Sequence, residues 1–309
     1  MSLLVVGSVA LDSVATPFGR TNEALGGSAV YFSAAASLFA PVQLVGVVGN
    51  DYPVHALDFL VRRGVDLGGL VQTPGESFRW AGAYSYDLNT AHTLETRLGV
   101  FASFSPQLPE RFRNAEWVFL ANIDPELQMQ VLDQVASPRL VACDTMNYWI
   151  EGKRDALMEL LRRVDMLLVN DAEVRQLSGD PNLIRAARWV QRHGPRYVVV
   201  KKGEHGAFLM TPDMIFFAPA YPLEELFDPT GAGDAFAGGF LGYLAQVGEV
   251  TPDELRRAMV HGSVMGSFAV ERFSVERFID LGLAEIQERV RAFREMTAFE
   301  HPLLESARV

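Results

Sequence analysis

The sequence predicts an α/β protein: a mostly parallel central sheet with helices on both faces, three layers deep, carrying a small antiparallel β element. Two observations lead there. Short apolar runs alternate with helical patterns along most of the chain. One stretch, near residues 76–100, breaks that rhythm with a period of two.

Strand readings fall at Leu3–Gly7, Val42–Val48, Trp117–Leu120, Leu140–Asp144, Met166–Val169, Tyr197–Lys201 and Ala207–Met210. Runs such as "VVV" at Val198–Val200 are continuous rather than alternating, as strands buried on both faces are. Helical patterns lie between them near Ser28–Phe39, Val54–Arg63, Glu126–Val135, Ala156–Arg163 and Leu183–His193. After Gly233 the chain turns helical as far as Gln246, with Gly248 as a stop. A further helix is announced by Thr251 as N-cap, Pro252 in the first turn and Glu254 as capping-box partner.

Two stretches fit no crossover unit. Residues 12–25, "DSVATPFGRTNEAL", read as loop-rich. In "FRWAGAYSYDLN", Phe78, Trp80, Tyr84 and Tyr86 share one parity, and Arg79, Ser85 and Asp87 share the other. That is a strand with two unlike faces, belonging to a lid or to a plain edge hairpin. The tail after Glu300 reads as loosely held.

The totals narrow the function. A length of 309 residues suits one large domain or two modest ones, and we expect one, with the lid formed from about 12–25 and 72–103. A hydrophobic fraction of 49% and a charged fraction of 21% describe a globular chain with a sizeable core. A net charge of −11 without any Lys/Arg run argues against a nucleic-acid partner. The single cysteine, Cys143, excludes an intrachain disulfide, fits a reducing compartment and reads as core. No CxxC or HExxH spacing suggests zinc. The start "MSLLVVGSVALD" lacks the basic beginning of a signal peptide, and no stretch approaches the roughly 18 apolar residues of a membrane span. A cytoplasmic protein without a membrane partner is expected.

The chemistry is concentrated in "FDPTGAGDAFAGGF", Phe227 to Phe240. A dinucleotide fingerprint needs a third glycine where Phe236 stands, and a Walker loop needs lysine where Gly239 stands. What remains is a bare turn, Thr230, Gly231, Ala232 and Gly233, feeding a helix. Orphan amides and the helix dipole attract an anion at such a place, including a phosphoryl group that gains charge in a transition state. Asp234 follows in the first helical turn. It either caps the helix or accepts a proton from an attacking hydroxyl. A carboxylate that merely bound beside an anion would repel it, which favours the second role.

"DPTGAGDAFAGGF" resembles the C-terminal signature of the ribokinase-like, or PfkB, family of sugar and nucleoside kinases, D-x-x-G-A-G-D-x-F. Other segments agree in family order: "GSVALD", "GGSAVYFSAA", "VNDAE", "VVVKKGEHGAF" and "MVHGSVMGSFAVE", so the likeness runs over about residues 3–300. It implies a ribokinase-like three-layer α/β/α sandwich with a lid, ATP as phosphoryl donor and magnesium. It makes Asp234 the catalytic base and Gly231, Ala232 and Gly233 the anion hole, with Thr230 beside the nucleotide. Asp12 would bind acceptor hydroxyls, and Gly26 and Gly27 would hinge the lid. Asn170 and Glu173 would organise magnesium and its waters; taken alone they are an N-cap and a first-turn acid. Lys201, Gly203 and Gly206 would border the nucleotide, and His261 the adenine.

The family carries asparagine where this chain has Tyr31. Tyr31 either stacks on an acceptor or packs. Asp144 and Asn122 follow strand ends and join the acceptor candidates, with Asn147 a weaker one. Of Arg79 and Trp80, one should face the acceptor. Lys202 reads as solvated. The expected activity is ATP-dependent phosphorylation of a hydroxyl, on a sugar or polyol first and a nucleoside second. A nucleotide sensor without turnover is the alternative from another class, and a homodimer through the lid is a further expectation.

Overall fold

The computed structural model describes residues 2–298. The chain opens with β1 (Leu3–Val6), β2 (Ala10–Thr16), β3 (Gly19–Gly26), α1 (Ser28–Ala36), β4 (Val42–Gly49), α2 (Asp58–Arg62) and β5 (Val65–Thr73). Next come β6 (Phe78–Tyr84), β7 (Ala91–Arg97), β8 (Trp117–Leu120), α3 (Pro125–Leu132), β9 (Leu140–Asp144), α4 (Asn147–Gly152) and α5 (Arg154–Leu161). They are followed by β10 (Met166–Asn170), α6 (Asp171–Ser178), α7 (Leu183–Gln191), β11 (Tyr197–Lys201), β12 (Ala207–Met210) and β13 (Ile215–Ala218). Four helices close the described chain: α8 (Ala232–Val247), α9 (Pro252–Ala269), α10 (Glu276–Asp280) and α11 (Leu283–Thr297).

Nine strands form one sheet in the order β13-β12-β11-β10-β9-β8-β1-β4-β5. From β11 to β5 every pairing is parallel; β12 and β13 add an antiparallel margin. The continuous apolar runs explain this, because side chains alternate across both faces. Leu3 and Val5 of β1, Trp117 and Phe119 of β8, and Leu140 and Ala142 of β9 enter one core with α1, α8 and α9. Leu4 and Val6, Val118 and Leu120, and Val141 and Cys143 enter the other with α5 and α7. Cys143 is thus a core residue, as read, and burial pushes its thiol far up.

The expected strands lie where the apolar runs placed them. β5 escaped notice because Gly68 and Gly69 interrupt its pattern. Residues 12–25 are not a loop: β2 and β3 pair there as an antiparallel hairpin. With β6 and β7 they make a four-stranded sheet, ordered β3-β2-β6-β7. Its outer pairings are antiparallel and its central pairing, β2 with β6, is parallel. Thr251 caps α9 as expected, accepting from Glu254 N at 3.2 Å. The Glu254 carboxylate does not complete a capping box; it accepts from Tyr243 at 2.6 Å instead. The tail after Glu300 lies outside the described residues.

Candidate active site

Parallel strands end at one edge, and here the order reverses at β1: β4 and β5 lie to one side, β8 to β11 to the other. Ligands of open α/β sheets bind outside the carboxyl ends at such a reversal. Asn122 follows β8, while Asp144 ends β9, Asn170 ends β10 and Lys201 ends β11. β1 runs through Ser8 and Val9 straight into the small sheet, which places that sheet over this edge.

The glycine turn completes the crevice. Gly231 adopts φ 74°, a left-handed conformation that glycine takes without strain, and caps the sixteen-residue helix α8. A Cβ there would lie 2.3 Å from the Tyr31 ring, so the glycine also permits close packing. Asp228 shapes the approach. Its Oδ1 accepts from Thr230 N at 2.9 Å and its Oδ2 from Ser274 N at 3.2 Å. Three further contacts tie this loop, and Ser274 from the α9–α10 connection, to the small sheet. Thr230 Oγ1 donates to the Tyr84 hydroxyl at 3.2 Å, Thr16 Oγ1 donates to Phe227 O at 2.9 Å, and Ser274 Oγ donates to Leu25 O.

Charge gathers at the mouth of the turn. Lys201 Nζ binds Asp144 Oδ2 at 2.8 Å, with only 15% of the Lys201 side chain exposed. It also approaches to 3.1 Å of the position a Gly233 Cβ would take. Burial opposes its charge, but Asp144, Glu173 and Asp234 outweigh that and raise its pKa. Asp234 is pushed up to about 7 by burial and by Asp144, against the pull of Lys201. Asp12 reaches about 7 through burial, countered by the Gly27 amide and reinforced by Asp228 and Asp234. These acids come from β2, β9, the α8 loop and α8 itself, so the fold assembles what the chain keeps apart.

Glu173 and Asn170 form a complete capping box on α6: Asn170 Oδ1 accepts from Glu173 N at 2.8 Å, and Glu173 Oε2 accepts from Asn170 N at 2.9 Å. The Glu173 carboxyl is nonetheless raised to about 7, by burial and then by Asp144. The N-cap and the first-turn acid read from the sequence are thus both present in this pair. Among the described residues no group of three His, Cys, Asp or Glu side chains is arranged to hold a metal ion.

The other candidates divide. Gly26 sits against Asp12, whose carboxylate lies 2.0 Å from the place of a Cβ. Gly27, at φ 94°, caps α1. Gly203 and Gly206 are both left-handed and close the turn after β11, where Lys202 N donates to Gly206 O at 2.8 Å. Asn89, from the turn between β6 and β7, reaches this same turn and donates to Glu204 at 3.2 Å. Asn122 accepts from Trp149 Nε1 at 3.0 Å, and Asn147 begins α4.

Arg79 is not turned to the acceptor side. It pairs with Leu11 in register, on the face opposite Asp12, and binds Glu23 and Asp51 at 2.7 Å each. Burial works to raise Asp51, but bonds from Ser77 and Arg79 prevail and hold it at about 2. Trp80 stands opposite Asp12 in the parallel pairing and shares its face. Its ring lies over Gly82, where a Cβ would come within 2.2 Å of it, and its Nε1 donates to Thr93 Oγ1 at 3.2 Å. His261 is not brought to the glycine turn. It stacks on Tyr243 at 4.1 Å and meets Phe39 edge-on at 5.6 Å, and Tyr243 lies twelve residues along α8 from Gly231.

Sequence reasoning passed over four residues. Asp228 lay in the quoted motif with no role given, and Tyr84 in the parity pattern. Tyr52 is buried with no partner for its hydroxyl among the described residues, and burial and Asp12 raise it. Gln128 is buried and donates to Leu120 O, Ala121 O and Asp144 O at 3.0, 2.9 and 3.1 Å, stapling two strand ends beside the crevice. No local signal marks it.

A crevice with bare backbone amides at a helix N-terminus, a buried carboxylate beside them and a small sheet above has the parts that phosphoryl transfer requires. Comparison with known proteins agrees. The model of the pfkB family carbohydrate kinases matches residues 3–280, and the chain belongs to that family. It is a phosphotransferase with an alcohol group as acceptor, which sets aside the nucleotide sensor. A cytidine kinase of Thermococcus kodakarensis is 32% identical over 246 residues, covering 78% of this chain and 87% of that one. The nucleoside kinase of Methanocaldococcus jannaschii superposes with a TM-score of 0.75 at 21% identity, over 94% of this chain and 98% of that one. The aminoimidazole riboside kinase of Salmonella enterica, complexed with its riboside and an ATP analogue, superposes with a TM-score of 0.74 at 21% identity, over 94% and 100%. The two structures establish the ribokinase-type fold. No helix among the described residues is long and apolar enough to cross a membrane.

Proposed function

We propose that this protein is an ATP-dependent nucleoside kinase with Asp234 as general base. One observation carries the acceptor class: Trp80 pairs with Asp12 in register and shares its face of the small sheet, with the indole ring laid against Gly82. An indole face suits a nucleobase, and a buried carboxylate suits sugar hydroxyls, so one acceptor satisfies both. The likeness to a cytidine kinase supports the same choice and puts a nucleoside ahead of the sugar or polyol expected first. The sugar or polyol remains the second reading, because Asp12, Tyr31 and Tyr52 offer a polar floor that needs no base above it.

In this reading the acceptor lies between Asp12 and the lid, its hydroxyl toward Asp234. Asp234 takes the hydroxyl proton as attack begins. The amides of Gly231, Ala232 and Gly233 and the Lys201 ammonium receive the charge that develops on the phosphoryl oxygens. ATP runs along the Lys201–Gly206 turn. Magnesium, when bound with it near Asn170 and Glu173, would offset phosphate charge. The lid contacts of Tyr84 and Asn89 exclude water, which would otherwise compete as acceptor. ADP release with Mg-ATP over a panel of nucleosides, sugars and polyols tests this. Nucleoside-dependent turnover that collapses in Asp234→Asn is expected. Preference for a free sugar would overturn the acceptor class, and an active mutant would overturn the base.

A further inference from the structure

We infer that Tyr31 determines acceptor specificity by donating from its phenol to a second acceptor hydroxyl, one that is not phosphorylated. The inference rests on the kinase reading and concerns a residue that replaces the family's asparagine.

Two halves of the side chain need separate explanations. The ring packs: it lies under Gly231, where a Cβ would come within 2.3 Å of it, and the residue is only 2% exposed. A phenylalanine would serve that purpose equally. The oxygen is what packing leaves unexplained. It is buried and has no hydrogen-bond partner among the described residues. A buried donor left unpaired loses its bond to water and gains none in return.

The surroundings say what would pair with it. The groups that act on Tyr31 are Asp12, Asp228, Tyr84 and Asp234, from β2, the α8 loop, β6 and α8. All of them border the crevice, and no cation is among them. An ionised carboxylate only accepts, and a phenol can donate. A substrate hydroxyl satisfies both at once, donating to Asp12 while accepting from Tyr31. An analogue with hydrogen at that position leaves both groups unpaired, and such sites reject deoxy analogues strongly.

The test compares wild type with Tyr31→Phe on cytidine, 2′-deoxycytidine and 3′-deoxycytidine, and by ligand-free melting. Wild type should favour cytidine over at least one deoxy form by about a hundredfold or more in kcat/KM. Tyr31→Phe should cut that ratio by about five- to tenfold, chiefly through KM for cytidine, the scale of one neutral hydrogen bond. Ligand-free Tyr31→Phe should melt at or above the wild-type temperature, since it loses only an unpaired donor. Unchanged discrimination in Tyr31→Phe would overturn the inference while leaving the kinase intact. So would a fall of several degrees in Tm, which would reveal a protein partner for the oxygen. If wild type consumed no acceptor at all, the kinase reading would fail, and the melting result would still decide whether the oxygen is spare.

Discussion

Lys201 Nζ lies 2.8 Å from Asp144 Oδ2, and the two act on Asp234 in opposite senses. Asp144 and burial push the Asp234 carboxyl up to about 7, and Lys201 holds it back. A base is most useful when its pKa lies near the working pH, because it is then both ionised and able to take a proton. The ion pair at the ends of β9 and β11 therefore tunes a residue that belongs to neither strand.

Removing the proposed base is the first test. Asp234→Asn should lower kcat by on the order of 10²–10⁴, the span of general-base catalysis, with a much smaller effect on nucleotide KM. Steady-state ADP release measures both.

The pH profile follows from the same pair. Asp234 must be ionised to accept a proton, so kcat/KM should rise with pH through about 7 and level off above it. Lys201→Met removes the group that lowers this pKa, so the acid limb should move to higher pH. A limb that stayed in place would mean that another group controls the profile.

Stability should run the other way. Asp12 has a folded pKa of about 7 against 3.8 for the ordinary carboxyl. A raised acid favours folding below its unfolded pKa, and that contribution is lost as pH rises through the folded value. Asp12→Asn cannot ionise, so its Tm relative to wild type should improve between pH 5 and pH 8 in the ligand-free protein. Scanning calorimetry at the two pH values gives the sign directly.

Gly231 should tolerate no side chain. Its φ of 74° is left-handed, and a Cβ would lie 2.3 Å from the Tyr31 ring. Gly231→Ala should displace the anion-binding amides and cost about 10²-fold or more in kcat, the scale of losing one such donor. Gly152→Ala is the control, because nothing lies within 4 Å of its Cβ position.

The β6–β7 turn meets the turn after β11 through an exposed bond, Asn89 Nδ2 to Glu204 Oε1 at 3.2 Å, and in the proposed reading this joins lid to nucleotide. Asn89→Ala should raise KM for ATP by about two- to tenfold, the scale of one hydrogen bond, and leave Asp234 chemistry alone. Isothermal titration with a non-hydrolysable ATP analogue checks it.

The sequence carried the crevice better than its roof. Asp144 and the glycine turn could be read because one ends a strand and the other begins a helix, and local pattern marks such ends; Asp12, inside β2, and Lys201 were named by resemblance. Arg79 and Trp80 could not be told apart, since facing is set by pairing with β2, more than sixty residues earlier. The stretch at 12–25 looked like loop because Gly19, Arg20, Asn22 and Glu23 are poor strand formers; pairing along β2 overrides that. His261 was placed by resemblance alone, and only packing against Tyr243 and Phe39 shows where its ring goes.

The parallel pairing of β2 with β6 carries a consequence for how the molecule assembles. The chain leaves β3 at Gly26 and returns at Phe78, and in between it lays down α1, β4 and β5. The central seam of the roof thus has to wait until two strands of the foundation are in place, since long-range parallel pairing repays its loop entropy late. No contiguous fragment of this chain contains the roof without part of the foundation. The part of the protein proposed to close over the acceptor is also the part that should form last and fray first.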